Sequence, residues 1–195
     1  MNFINLLFPR ECIGCGSQWS YLCPPCKKSL HPHSEICPIT HKSSPGYAVR
    51  QDLLSHPSPL DGCIVLFRFE PLIKKLITQL KYYHRRDISQ FLGERLALAF
   101  QSHEFLGPLL TFNSKLLTSY VPSHRYRRYV TKGYNQSQLL AQALCDSLDS
   151  DCIVSPLCKK VKHTHSQVGM SREQRKKNLT DAFVLIAPIY PWTIV

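Results

Sequence analysis

No stretch of this 195-residue chain is apolar over the length that a membrane-spanning helix needs, which excludes a helical membrane protein. The first nine residues are apolar, but they lack the basic start and small-residue cleavage site of a secretory leader. Neither a Walker A sequence nor GxGxxG is present, so the common P-loop and dinucleotide-binding sites are excluded. Internal repeats and low-complexity tracts are absent as well, which removes solenoid and linker-like architectures. Acidic residues are few: 13 Asp and Glu stand against 24 Lys and Arg, for a formal net charge of +11. The nine cysteines are an odd number, and Cys37, Cys63, Cys145, Cys152 and Cys158 show no paired spacing. A disulfide framework is therefore not expected, and the reading is a reducing cytoplasm.

The other four cysteines are the most informative residues present. Cys12 and Cys15 form one Cys-x-x-Cys pair, Cys23 and Cys26 form a second, and seven residues separate them. A two-residue spacer lets both thiolates of a pair face one point, and two pairs make the tetrahedral sulfur cage that zinc favours. Gly16 stands where a tight metal-binding turn needs a positive φ, and Pro24 and Pro25 stiffen the second pair. Two disulfides or a redox Cys-x-x-Cys are the alternatives. A redox pair opens a helix in a thioredoxin-like unit, and no such unit surrounds this one. Structural zinc is the expectation. Cys37, His41 and His56 have poor spacing for a second metal site and read as surface or linker residues.

The basic excess is uneven. Residues 1–60 carry five Lys or Arg against three acids, residues 61–114 seven against five, and residues 115–180 twelve against four. Such a local excess suits a polyanion: nucleic acid or a phosphate-rich small molecule. A merely solvated basic face is the bland alternative.

Texture divides the chain near residue 60. Before it, prolines crowd the sequence and helical periodicity is poor. After it, 63–69 (CIVLFRF) reads as a strand. Pro71 opens a helix with an apolar stripe at Ile73, Leu76, Ile77 and Leu80. Asp87 caps another, with Ile88, Phe91, Leu92, Leu96 and Ala99 inward. Strands are expected at 116–121, 153–157 and 182–186, and a helix follows Asn135. Ser171 and Gln174 form a capping box before a basic turn at 172–177. Strands alternating with helices predict an α/β domain with a mainly parallel sheet.

Segment 121–138 (VPSHRYRRYVTKGYNQSQ) lies between a strand and a helix, where open parallel sheets bind ligands. Arg125, Arg127, Arg128 and Lys132 crowd it, Gly133 permits close backbone approach, and Asn135 starts the helix, whose N-terminus favours anions. Tyr126, Tyr129 and Tyr134 can stack on bases or pack in a core.

Five segments occur in order: LFPRECIGCG, CPPC, PLIKKLITQLKYYHRRDISQFLG, VPSHRYRRYVTKGYNQSQLLAQAL and HTHSQVGMSREQRKKNLTDAF. Together they resemble the ComF family of competence-associated, phosphoribosyltransferase-like proteins along nearly the whole chain. The resemblance implies a type I phosphoribosyltransferase-like parallel sheet with flanking helices, preceded by a small zinc-binding module. On this reading 1–60 is the zinc-binding module and linker, and 61–195 the phosphoribosyltransferase-like domain. It implies a cytoplasmic role in handling single-stranded DNA during uptake, with other DNA-uptake proteins as partners. It marks Lys132, Gly133, Tyr134, Asn135 and Gln136 as one signature. Thr164, Gln167, Ser171, Arg172, Arg175 and Asn178 form a second, similar to a mobile flap over substrate, with Gly169 as a hinge.

The family's acidic loop, a pattern such as VDDVxTTGxT that would hold the sugar hydroxyls and 5′-phosphate of phosphoribosyl pyrophosphate (PRPP), has no counterpart in this sequence. Trp192, Thr193, Ile194 and Val195 read as the start of the strand that would precede it. The expectation is a domain lacking its C-terminal PRPP-loop part. Phosphoribosyltransferase chemistry would require that loop from elsewhere. A non-catalytic zinc-stabilised interaction protein, or a decayed relic, is the remaining alternative.

Overall fold

Proline at the first helical position and four apolar residues at helical spacing produce the helix that the sequence predicts at residue 71. The computed structural model describes residues 10–18, 20–103, 116–123, 133–148, 151–186 and 193–194. The chain divides into two units: Met1–Ile88 with Ser102–Phe105, and Ser89–Gln101 with Leu106–Val195.

The first unit contains a short helix α1 (Pro24–Lys28), 3₁₀ turns at Pro45–Tyr47 and Gln51–Leu53, and helix α2 (Pro71–Tyr82). Ile73, Leu76 and Leu80 of α2 are buried, as its stripe requires. Between α1 and α2 the chain is held by scattered bonds rather than by long ladders. Ser44 Oγ donates to Ala48 O (2.8 Å), Tyr47 Oη to His33 O (3.0 Å), and His103 Nε2 to Gly46 O (2.7 Å).

The strand expected at 63–69 is not formed. Isolated bridges join Pro32 to Phe67 and Ala48 to Gly62, with His33 N donating to Leu66 O and Arg68 N to His31 O. The segments opposite it contain Pro32 and the Pro45 turn, and proline has no N–H with which to extend a ladder. Extended backbone is present, but a regular sheet is not.

Helix α3 (Asp87–Gln101) begins at the residue expected to cap it. In the second unit β1 (Leu116–Thr118) leads through α4 (Gln136–Asp146) to β2 (Cys152–Val154). Then come β3 (Cys158–Lys160), α5 (Arg172–Leu179), β4 (Phe183–Leu185) and β5 (Thr193–Ile194). One sheet has the order β2-β1-β5 and is parallel throughout, with Leu116 opposite Cys152 and Leu117 opposite Thr193. The other pairs β3 with β4 antiparallel, Cys158 opposite Leu185. The chain is thus mixed α/β with a small parallel sheet.

The strand expected at 153–157 ends early, and a further strand not expected from the sequence follows it. β2 ends at Val154, and β3 starts at Cys158 in a different sheet. Pro156 lies in the break, where a residue without an N–H cannot continue the ladder. A core of Ala97, Phe100, Leu116 and Leu148 forms in this unit, with Leu144 and Cys152 packed against it. Gly93 lets α3 approach α4 closely: a Cβ there would lie 2.4 Å from Ala143 Cβ.

Candidate metal centre

The first cysteine pair sits on a tight turn. Glu11 bridges Gln18, Cys12 N donates to Ser17 O (2.8 Å), and Gly16 N donates to Cys12 O (2.8 Å). Gly16 adopts φ +78°, the left-handed conformation the sequence led us to expect there. The second pair opens α1. Cys23 is its N-cap, Pro24 and Pro25 occupy the first two helical positions, and Cys26 follows one residue later. A redox pair also opens a helix, so this feature alone does not separate the alternatives.

Clustering of all four sulfurs does separate them. Cys12 Sγ lies 3.6 Å from Cys23 Sγ, Cys15 Sγ lies 3.6 Å from Cys23 Sγ, and all four ligand atoms fall within 4.8 Å of one another. Four sulfurs about 2.3 Å from a central zinc in a tetrahedron stand about 3.8 Å apart. The residues therefore fit a tetrahedral metal ion with no open coordination position. Among the described residues this is the only group of three or more Cys, His, Asp or Glu side chains arranged to hold a metal. Cys37, His41 and His56 form no such group.

The thiols of the cluster shift in opposite directions. Burial pushes the Cys12 thiol up, but N–H groups of Cys23, Cys15 and Gly14 outweigh it and hold that thiol at about 6. Cys15 is also lowered, chiefly by its hydrogen bond with the Ser17 hydroxyl at 3.3 Å. Cys26 is pushed up to about 12 by its hydrogen bond with Cys23, by burial and by its other thiol neighbours. Four thiolates this close repel one another unless a cation lies among them.

Gly14 is a member of the site that sequence reasoning missed. A Cβ at this position would lie 2.6 Å from Cys26 Sγ and 3.3 Å from Leu72 Cδ1. The available signal was a glycine directly before the second ligand of a pair. Reading glycine only for its φ overlooked it, because the constraint here is space.

The expected phosphate-binding residues fall in two places. Arg125, Arg127, Arg128 and Lys132 lie outside the described residues, as do Tyr126 and Tyr129. Gly133 has φ +67°, Tyr134 is buried, and Gln136 is the first residue of α4. Asn135 Oδ1 accepts from Ser137 N (3.0 Å) and its Nδ2 donates to Val121 O (3.0 Å), so it caps the helix and ties it to the preceding chain.

The second group forms an excursion between β3 and β4. Thr164 is buried and accepts from Lys160 Nζ at 2.6 Å. Asn178 Oδ1 accepts from His165 N (3.2 Å), while its Nδ2 donates to His165 O (3.1 Å). Ser171 and Gln174 make the expected capping box on α5, and Arg175 Nε donates to Met170 O at 3.1 Å. Gly169 has φ +81° next to Val168, which is 81% exposed. Gln167 is half-buried and Arg172 exposed.

Cys145 and Cys152, whose spacing suggests no pairing, form a disulfide between the end of α4 and the start of β2, with Cα atoms 5.2 Å apart. The strand–helix–strand return brings them together across a turn. This pairing corrects the expectation that the five cysteines outside the two Cys-x-x-Cys pairs stay unpaired. Among the described residues no helix is long and apolar enough to cross a membrane.

These features define a class: a mixed α/β chain with a four-cysteine cluster near its start that could hold a metal ion. Comparison narrows it. The chain is 28% identical over 177 residues to competence protein F of Haemophilus influenzae, covering 89% of this chain and 69% of that protein. Its similarity to DNA utilization protein YhgH of Escherichia coli K12 is also 28% over 177 residues, covering 86% and 72%. The same-named protein of Salmonella typhimurium matches at 28% over 182 residues, covering 89% and 74%. The resemblance to the ComF family therefore holds along most of the chain. No family model matches the chain, and no solved structure matches it.

Proposed function

We propose that this chain serves in the uptake and handling of DNA, as a ComF-like protein that binds nucleic acid or a phosphate-bearing ligand. The alignment with competence protein F over 89% of the chain carries the reading. Its chemistry supports it: the net charge of +11 attracts polyanions, and the basic excess concentrates at 115–180.

In this proposal the four thiolates of Cys12, Cys15, Cys23 and Cys26 hold zinc, which when bound supplies rigidity and no open position for substrate. Ligand phosphates meet Arg125, Arg127, Arg128 and Lys132, with Gly133, Tyr134, Asn135 and Gln136 shaping the turn into α4. The excursion bearing Thr164, Gln167, Arg172 and Arg175 closes on the ligand. The domain is of the type I phosphoribosyltransferase class, and it acts in the cytoplasm with single-stranded DNA and DNA-uptake proteins as partners.

The test is an anisotropy titration with single-stranded DNA at about 50 mM and about 200 mM salt, where phosphate contacts make affinity fall with salt. Binding at low salt that weakens steeply supports the reading. No binding, or binding indifferent to salt, overturns it.

A second reading is phosphoribosyl transfer, and the parallel order β2-β1-β5 favours it. It requires an acidic PRPP loop supplied by another segment, because this sequence has no acidic pair followed by Thr-Thr-Gly. Calorimetric titration with PRPP and magnesium checks it: no heat of binding in the presence of such a segment removes the reading.

A further inference from the structure

A groove of about 700 Å³ runs along the first unit between the metal-binding turn and α2. Glu11, Cys12 and Ile13 form one wall; Lys74, Lys75, Thr78, Gln79 and Tyr83 line the other, with Arg85 beyond them. The helical wall follows from sequence. Positions 71, 74, 75, 78 and 79 recur at three- and four-residue spacing, so they share one face, while Ile73, Leu76 and Leu80 are buried on another, and Tyr83 follows as the residue that ends the helix.

Charge and exposure distinguish this groove from an ordinary solvated face. Lys74 and Lys75 are exposed, and neither has an ion-pair partner among the described residues. Arg10 and Arg85 both lie against the Tyr21 ring, 5.0 and 4.7 Å from its centroid. That arrangement fixes two guanidinium groups on a rigid aromatic. Tyr83 is 62% exposed in the same groove, an apolar ring left in water beside three cationic side chains. Acidic groups here are Glu11 in the groove, Asp87, which sits within electrostatic reach of Arg85 and Arg10, and Glu70, one turn before Lys74, whose carboxylate is bonded to His31 at 2.8 Å.

We propose that this groove is a binding track for single-stranded nucleic acid, in which Lys74, Lys75 and Arg85 meet backbone phosphates and Tyr83 stacks on a base. From Lys74 to Tyr83 the helix rises about 14 Å, longer than one phosphate group and suited to a chain of linked ones. Cations along a groove with an exposed aromatic ring are the two components of sequence-tolerant strand binding. An acidic peptide would satisfy the cations and leave the ring without a partner.

The metal centre has a second consequence here. Cys12 lines the groove, so a metal ion bound by the four thiolates would also steady that wall of the track. The inference rests on the nucleic-acid reading above but draws on other residues of the sequence than 121–138 and 163–178.

The test uses the full chain with metal bound and a labelled oligothymidylate of about 12 nucleotides, within the range one binding module covers. Replacing Lys74 and Lys75 together by Gln should weaken binding about tenfold or more at low salt and flatten the salt slope by about 1.4, or 0.7 for each lost contact. Tyr83→Ala should weaken it about tenfold with the slope unchanged. All three side chains are exposed, and equal metal content and thermal midpoint confirm that the variants fold. If the wild type binds and the double variant binds equally well, the groove is excluded and the nucleic-acid reading stands. Absence of binding by the wild type removes both. If Tyr83→Ala costs nothing and polyaspartate displaces the strand with similar affinity, the groove is a general anion face and the proposal falls.

Discussion

The metal-binding turn and the excursion between β3 and β4 are both irregular segments, and they are kept in place by different forces. At 12–26 four sulfurs converge on a point within 4.8 Å of one another, around backbone bonds such as Ile13 N to Tyr21 O at 2.9 Å. At 164–178 the ties are hydrogen bonds: Lys160 to Thr164, Asn178 to the His165 backbone, and the Ser171–Gln174 box. Each such bond contributes about 1 kcal/mol net, and most are exposed. The first device is cooperative and fails all at once. The second is a sum of small terms and fails by degrees.

Removing the metal is the largest expected perturbation. Chelation, or Cys23→Ser, should abolish stoichiometric zinc and unfold the 10–28 region, since structural zinc binding supplies about 10–16 kcal/mol of apparent free energy in small sites. Zinc content with near-ultraviolet circular dichroism reads this out. Retention of one zinc per chain by Cys23→Ser would contradict the four-sulfur assignment. The pH dependence has a definite sign. Zinc must displace the proton from Cys26, pushed up to about 12, so affinity rises with pH. Cys12 is depressed from 9.0 to about 6, so its thiolate's contribution to the metal-free fold is complete above about 9 and fades as pH falls toward 6.

Gly14→Ala comes next. The added Cβ would stand 2.6 Å from Cys26 Sγ, so the ligand must shift, at a cost of about 1–3 kcal/mol. Metal affinity measured by competition with a chelator should drop about tenfold or more, with the second unit's stability unchanged. An unaltered affinity would show that the turn relaxes freely, against the rigid picture drawn here.

How much of this was legible in sequence follows the same division. The four metal ligands could be read because Cys-x-x-Cys spacing is a local geometric requirement. So could α2, whose stripe is local, and the caps at Asn135 and Ser171. The strand expected at 63–69 was lost because its partners contain prolines, and pairing depends on both strands. The expected strand at 153–157 stopped at Val154, ahead of Pro156, a breaker that β-branched neighbours obscured. Cys145 and Cys152 meet only once β1 and β2 lie side by side, so no spacing rule could pair them. The groove was invisible for a similar reason. Lys74 and Lys75 lie off the apolar stripe of α2, and the opposite wall, Glu11 to Ile13, is distant in sequence.

The excursion should respond in smaller steps. Asn178→Ala removes two bonds to the His165 backbone, worth about 1–2 kcal/mol together. Hydrogen exchange at the His165 amide should accelerate about tenfold while exchange in α4 stays unchanged; loss of protection in both would mean the excursion is part of the second unit's core. Ser171→Ala is the gentlest. It removes the acceptor for Gln174 N at 3.2 Å but leaves the Gln174 side chain bonded to Ser171 N at 2.8 Å, so half of the box survives. The expected cost is about 1 kcal/mol, with Ser171→Gly costing a few tenths. Because α5 has no buried residue, this loss is not shared with packing and should appear as local fraying, seen in amide exchange at 172–175. A global fall in thermal midpoint with no local change would mean that α5 is held by contacts other than its cap, and the contrast with the metal-held turn would weaken accordingly.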